Sequence, residues 1–325
     1  MAVRLMKKHL KVKAFLGLIL IFSLVNILLA RSLLAQDNII ANGLTENLPA
    51  NLSSEDKLNL SCLMESYPDI WGVQEDIQGI WLIFKNGERV LYSQNSNNIY
   101  ENSLNTSPLS VDVKRSMEQP YVLEPERPET PEGYAPGRKR SYALFSALYG
   151  KTKAQVQANL RPVRILGGHW SFVPQAAEAF KEASLAIMTK LAQDRSLKSW
   201  LKGNGSFCWR KIAGESVLSV HSFGIAFDIG VGHGATYWRW CKKRPHPLQK
   251  TYPSAIVASF EEAGFIWGGK WHEYDLMHFE YRPELICKAK RLRRQSYEPL
   301  PMNQGQESKA SGRYVWPKRQ GFFSD

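Results

Sequence analysis

Between Ser219 and Gly232 the chain reads SVHSFGIAFDIGVG. A histidine and an aspartate stand seven residues apart inside an otherwise apolar run, with a glycine between them. Apolar neighbours predict burial, and a buried carboxylate without a partner is costly. Asp228 therefore needs a counter-charge, a set of donors or a metal. An odd offset would send His221 and Asp228 to opposite faces of one straight strand. Ser222-Phe223-Gly224 must then turn the chain, which Gly224 permits. A lone histidine is more often a satisfied core or surface group than a ligand, so the aspartate carries more of the inference.

Some fifty residues on, WGGKWHEYDLMHFEYRPEL (Trp267 to Leu285) sets Asp275 three residues ahead of His278, which opens an alternating, strand-like run. His221, Asp228 and His278 make three candidate ligands. Two imidazoles and one carboxylate leave a fourth position open on a tetrahedral zinc ion, the pattern of catalytic rather than structural zinc. Glu280 shares a strand face with His278 and either orients that ligand or is a surface carboxylate. His233 and His272 read as structural or supporting. Most of the aromatic residues around both stretches suit core packing, with one or two left to line a groove for peptide or sugar.

The first residues set the compartment. Five basic residues in MAVRLMKKHLKVK precede the apolar run AFLGLILIFSLVNILLA, which is about the length that separates a signal peptide from a short membrane span. Residues 1–35 are read as a signal peptide cleaved on export, with a retained N-terminal anchor as the alternative. Both place the rest of the chain outside the cytoplasm, in the periplasm or cell envelope. The net charge of +12 falls to +6 once the six basic residues of that segment are set aside. Much of the remainder lies in KAKRLRRQ (Lys288 to Gln295) and the last twenty residues. This is read as a solvated basic face; a nucleic-acid partner is excluded, because no recognition motif accompanies it and the compartment is wrong. Cys62, Cys208, Cys241 and Cys287 show no C-x-x-C spacing, which argues against a thiolate zinc site. In an oxidising compartment they allow up to two disulfides in three pairings.

Residues 36–57 read as a polar spacer. GIWLIFKNGERVLYS (79–93) reads as a hairpin with a type I′ turn at Asn86-Gly87. Five prolines between Glu118 and Arg140 predict a long loop packed on the domain. Ala176, Phe180, Ala183, Ile187 and Leu191 share one helical face over 175–192, behind Pro174. A second helix is expected over 253–262, stopped by Gly264, and strands near 162–173, 224–231 and 278–282. Helices and strands mix without βαβ alternation, so the class is α+β.

The pattern S-x-H-x-x-G-x-A-x-D, here Ser219, His221, Gly224, Ala226 and Asp228, resembles the signature of the zinc D-alanyl-D-alanine peptidases. That family includes VanY-type carboxypeptidases and L-alanyl-D-glutamate endolysins. The block W-G-G-x-W…D-x-x-H-F-E resembles the matching C-terminal motif of its carboxypeptidase and endolysin branch. The resemblance covers roughly residues 140–287 and departs from many members at Met277, where they carry proline. It implies a small antiparallel sheet with flanking helices around one zinc ion, a fold shared with hedgehog domains. It implies ligation by His221, Asp228 and His278, with Asp275 as the acidic catalytic residue. It also implies Arg210, or else Lys211, as the cation that polarises substrate, and Ser219 as a substrate contact. The expected activity is removal of D-Ala from peptidoglycan stem peptides; L-alanyl-D-glutamate cleavage and a non-catalytic zinc-containing wall-binding module are the alternatives. The expected layout is 36–139 as an N-terminal region of hairpin and proline-rich loop, 140–290 as the peptidase domain and 291–325 as a basic tail.

Overall fold

The computed structural model of the chain describes residues 48–49, 51–95, 110–127, 129–241 and 243–297. The leader and the last part of the basic tail lie outside the described residues. Among the described residues no helix is long and apolar enough to cross a membrane. Helices and three small antiparallel sheets make the class α+β, as expected.

The sheet that matters for the site has four strands. In chain order they are β6 (Gly203–Gly205), β7 (Ala226–Ile229), β8 (Phe265–Trp267) and β9 (His278–Tyr281), arranged β6-β7-β9-β8. The register pairs Phe227 with Phe279 and Asp228 with His278. Directly opposed residues share a face, so this register sets the aspartate and the histidine side by side. Phe227 and Phe279 turn the other way and stack at 5.2 Å and 7°. Phe227 also meets Trp170, Phe172, Phe180, Phe260 and Phe265, which makes it the centre of an aromatic core. Such rings bury large apolar areas and fix the height and tilt of the strands they pack on.

Two helices cover that core face. One runs over Pro174–Leu191 with Ala176, Phe180, Ala183 and Ile187 buried, matching the predicted stripe, and proline opens its first turn. The other spans Ser254–Glu262, with Pro253 just outside as its N-cap. Gly264 (φ +97°) follows and turns the chain into β8. The strand character expected near 162–173 takes the form of a two-stranded hairpin, β4 (Arg161–Ile165) and β5 (Gly168–Phe172).

The N-terminal region differs more from expectation. The spacer ends early: Ser53 caps a helix, α1 (Ser54–Ser66), by accepting from the Asp56 amide. The hairpin is the second half of a three-stranded sheet of β1 (Ile70–Glu75), β2 (Gly79–Phe84) and β3 (Arg89–Gln94). Its turn is not type I′. Gly87 has φ +82° but Asn86 does not have a positive φ, and the Phe84 N–H donates to the Glu88 carbonyl. That is a three-residue loop closed by a glycine in the left-handed region.

Buried apolar residues from Leu52 to Ala289 form one cluster. The division drawn at 139/140 therefore runs through continuous packing. Cys62 on α1 is bonded to Cys287 on the C-terminal helix, α2 (Pro283–Tyr297), while Cys208 and Cys241 are free and exposed. The Tyr67 hydroxyl donates to Glu284, Tyr121 to Glu261, and Lys270 to the Val122 carbonyl. The basic run on α2 is not simply a solvated face. Lys288 is buried and donates to the Met117 carbonyl and Glu55, and Arg291 pairs with Glu65. These cations stitch α2 to the N-terminal region.

Candidate active site

A cleft of about 280 Å³ opens over the Asp228–His278 face of the four-stranded sheet. His221 reaches it from a 3₁₀ turn, Val220–Phe223, not from a strand. Gly224 ends that turn in the left-handed region at φ +66°, and a Cβ there would meet the Leu160 side chain at 2.6 Å. The turn resolves the odd spacing: the chain reverses before β7 begins, and His221 and Asp228 come to one side.

His221 Nε2 stands 3.3 Å from Asp228 Oδ1, and His278 Nδ1 stands 3.1 Å from the same oxygen. The three ligand atoms all lie within 4.8 Å of one another. Ligands on a tetrahedral zinc ion at 2.0–2.2 Å would stand about 3.3–3.6 Å apart. The two separations to Asp228 are close to that edge length, and the two imidazole nitrogens lie within 4.8 Å of each other. The outward nitrogens also fit a metal. His221 Nδ1 lies 2.6 Å from the Ser206 carbonyl, which can only accept, so the proton sits on Nδ1 and Nε2 is free to ligate. His278 Nε2 faces Glu280 Oε2 at 3.6 Å, leaving Nδ1 toward Asp228.

Without a metal this site is held together by opposite charges. Burial would raise the Asp228 pKa, but His221 and His278 outweigh it and hold the carboxyl far below its usual range. Burial would lower His278, yet Asp228 and Glu280 push it up to about 9. Asp228 and His278 each favour the charged form of the other. A divalent cation would replace the extra His278 proton and serve all three donors at once.

Asp275 sits three residues before His278, and its carbonyl accepts the His278 amide. Its own amide donates to the Gly268 carbonyl at 3.0 Å, and a Cβ on Gly268 would lie 2.7 Å from the Asp275 oxygen. The first glycine of W-G-G therefore permits the tight approach that aims Asp275 into the cleft. Its Oδ1 is shut away from solvent and has no hydrogen-bond partner. Burial pushes its pKa up to about 6, against the pull of His278 and with the push of Asp228.

The other expected residues are placed less centrally. Ser219 is buried on the cleft wall, and its amide donates to the Arg210 carbonyl. Arg210 lines the mouth but is exposed, and its side chain reaches the Lys211 carbonyl at 3.4 Å. Lys211 does not line the cleft. His233 stacks on Trp200 and bonds Ser199, and His272 bonds the Thr130 carbonyl, so both lie outside the site. A larger cavity, about 480 Å³, is lined by His272 and Lys270 but by none of the three ligands.

Two charged cleft residues went unpredicted, Arg138 and Arg140, from the end of the proline-rich loop. Arg138 is buried and donates to the Glu273 carbonyl at 2.9 Å and the Tyr237 hydroxyl at 3.3 Å. The only signal in the sequence was the basic cluster GRKR after the last proline. Tyr237, Trp240 and Trp271 complete that wall, with Trp240 70% exposed at its rim.

Residues 213–281 match a family model described as D-alanyl-D-alanine carboxypeptidase. The matched segment contains His221, Asp228, Asp275 and His278, and it bears out the resemblance drawn from the two motifs. Arg138, Arg140 and Arg210 lie outside it. No curated protein and no solved structure matches the chain.

Proposed function

We propose that the chain is an exported zinc metallopeptidase that hydrolyses peptidoglycan stem peptides, removing a terminal D-alanine. The observation that carries this reading is the pair of distances, 3.3 and 3.1 Å, that set two imidazole nitrogens around one Asp228 oxygen inside the matched segment. His221, Asp228 and His278 would hold one zinc ion and leave a position open to the cleft. Bound there, zinc would bring the pKa of a water toward about 7 and polarise the scissile carbonyl.

The remaining steps belong to the chain. Asp275 takes the proton of the attacking water and passes it to the leaving amine, a role for which a pKa near 6 is suited. Negative charge on the tetrahedral oxygen needs a fixed cation. Arg138 meets that need better than Arg210, since it is buried and held by two hydrogen bonds, whereas Arg210 is exposed at the rim. A guanidinium in that position stays ionised and keeps its fork of donors rigid. Ser219, on the cleft wall, contacts substrate. The Cys62–Cys287 bond supports an oxidising compartment, in line with export by the leader.

The test is to incubate purified protein with muropeptides ending in D-Ala-D-Ala, with and without zinc, and to weigh the products. Loss of one D-alanine supports the proposal. Release of the stem after L-alanine redirects it to an endopeptidase. No product from any stem, with zinc bound, would contradict an enzymatic role and favour a zinc-containing wall-binding module.

A further inference from the structure

Arg140 comes from a loop outside the matched segment, yet its side chain ends against the metal-binding face. Its Nε and Nη2 donate to the two oxygens of Glu280 at 3.1 and 2.7 Å, a bidentate fork. Its Nη1 donates to the Arg138 carbonyl at 2.8 Å. Glu280 in turn presents Oε2 to His278 Nε2 at 3.6 Å, the nitrogen opposite the one that faces Asp228. On the other side Arg282 donates to Glu280 Oε1 at 3.3 Å, to the Gly137 carbonyl at 2.8 Å and to Glu284. Glu284 closes the series by accepting from Tyr67 on the N-terminal region at 2.6 Å.

The side chains of Arg140, Glu280, Arg282 and Glu284 are between 0% and 4% exposed, and their charges cancel. A buried ionic network is a poor source of stability, since apolar replacements of similar volume usually do as well. A purely structural account therefore leaves the arrangement unexplained. Its geometry has a direction. The fork fixes the plane of the Glu280 carboxylate, and that carboxylate faces the one His278 nitrogen that must keep its proton if Nδ1 is to ligate.

We infer that Arg140 is a positioning residue for the metal ligand His278, acting through Glu280, and that the end of the proline-rich loop thereby forms part of the metal site. The inference rests on the zinc reading above. It assigns no contact with substrate to Arg140. Outer partners of metal-bound histidines set the ring orientation and tautomer, and their loss typically weakens metal binding about 10–100-fold.

The test uses the full chain and reads zinc affinity by competition with a chelating dye. Arg140→Met/Glu280→Gln removes the anchored carboxylate without leaving an unpaired buried charge, so it should fold. It should bind zinc about 10–100-fold more weakly than wild type. In ¹⁵N spectra of the zinc-loaded protein, the protected His278 Nε2–H should be lost. Arg140→Lys keeps the charge pair but not the fork, and should show a smaller loss in the same direction. It carries the test by itself if the double variant does not fold. Wild-type affinity and an unchanged imidazole signal in either folded variant would overturn the inference. A wild-type chain that takes up no zinc would instead overturn the metal reading beneath it.

Discussion

The covalent link between Cys62 and Cys287 closes a loop with a sequence separation of 225 residues. A cross-link of that span removes much of the freedom of the unfolded chain. The chain-entropy relation gives about 5 kcal/mol for a loop of this length, at the top of the usual range for disulfides. The folded state should change little when the bond is absent, because Tyr67–Glu284, Lys288–Glu55 and Arg291–Ser61 tie α1 and the residue that follows it to α2. Both cysteines are buried, so alanine is a better replacement than serine. Cys62→Ala/Cys287→Ala should therefore lose about 3–5 kcal/mol in urea denaturation, with a larger m-value because the unfolded chain is less compact. Alkylation and mass analysis should find two free thiols, Cys208 and Cys241, in the unreduced wild type, and four after reduction. A double variant within about 1 kcal/mol of wild type would refute the loop-entropy reasoning. Four free thiols in protein recovered from the envelope would refute the link itself.

Asp275→Asn keeps the size of the side chain and removes the proton acceptor. It should retain zinc and lose about 10²–10⁴-fold in kcat on stem peptides, measured by D-alanine release. Zinc uptake should depend on pH in a definite direction. His278 in the metal-free fold has its pKa raised from 6.5 to about 9, so a proton must leave before its nitrogen can ligate. Apparent affinity should rise about tenfold per pH unit between pH 6 and 8 and level off near 9. The same shift stabilises the metal-free fold below pH 6.5, and that contribution disappears as pH rises through about 9. Isothermal titration in two buffers of different ionisation enthalpy counts the released proton; an affinity flat across this window would contradict the coupling.

The candidate site was legible where its chemistry is written locally. His221 and Asp228 stand out because polar groups interrupt an apolar run, and Gly224 marks the turn that brings them together. The pairing of Asp228 with His278 is a matter of strand register across fifty residues, which no local pattern states. The two-motif resemblance supplied it. Arg138 and Arg140 were missed because their partners, Glu273 and Glu280, lie some 140 residues away and the intervening prolines suggest only a loop. The basic run on α2 looked solvated because its sequence shows charge but not the carboxylates and carbonyls that meet it. Strand β1 escaped notice since Gly72 and a register shift break its alternation. The aromatic core helix, by contrast, announces itself in its own spacing.

The central claim is that His221, Asp228 and His278 grip one divalent ion. The most direct measurement is anomalous diffraction at the zinc edge from crystals grown with zinc. The account predicts a single strong peak about 2.0–2.2 Å from His221 Nε2, Asp228 Oδ1 and His278 Nδ1, with the open side toward Asp275. A strong peak elsewhere, with those three side chains empty and hydrogen-bonded only to one another, would contradict it.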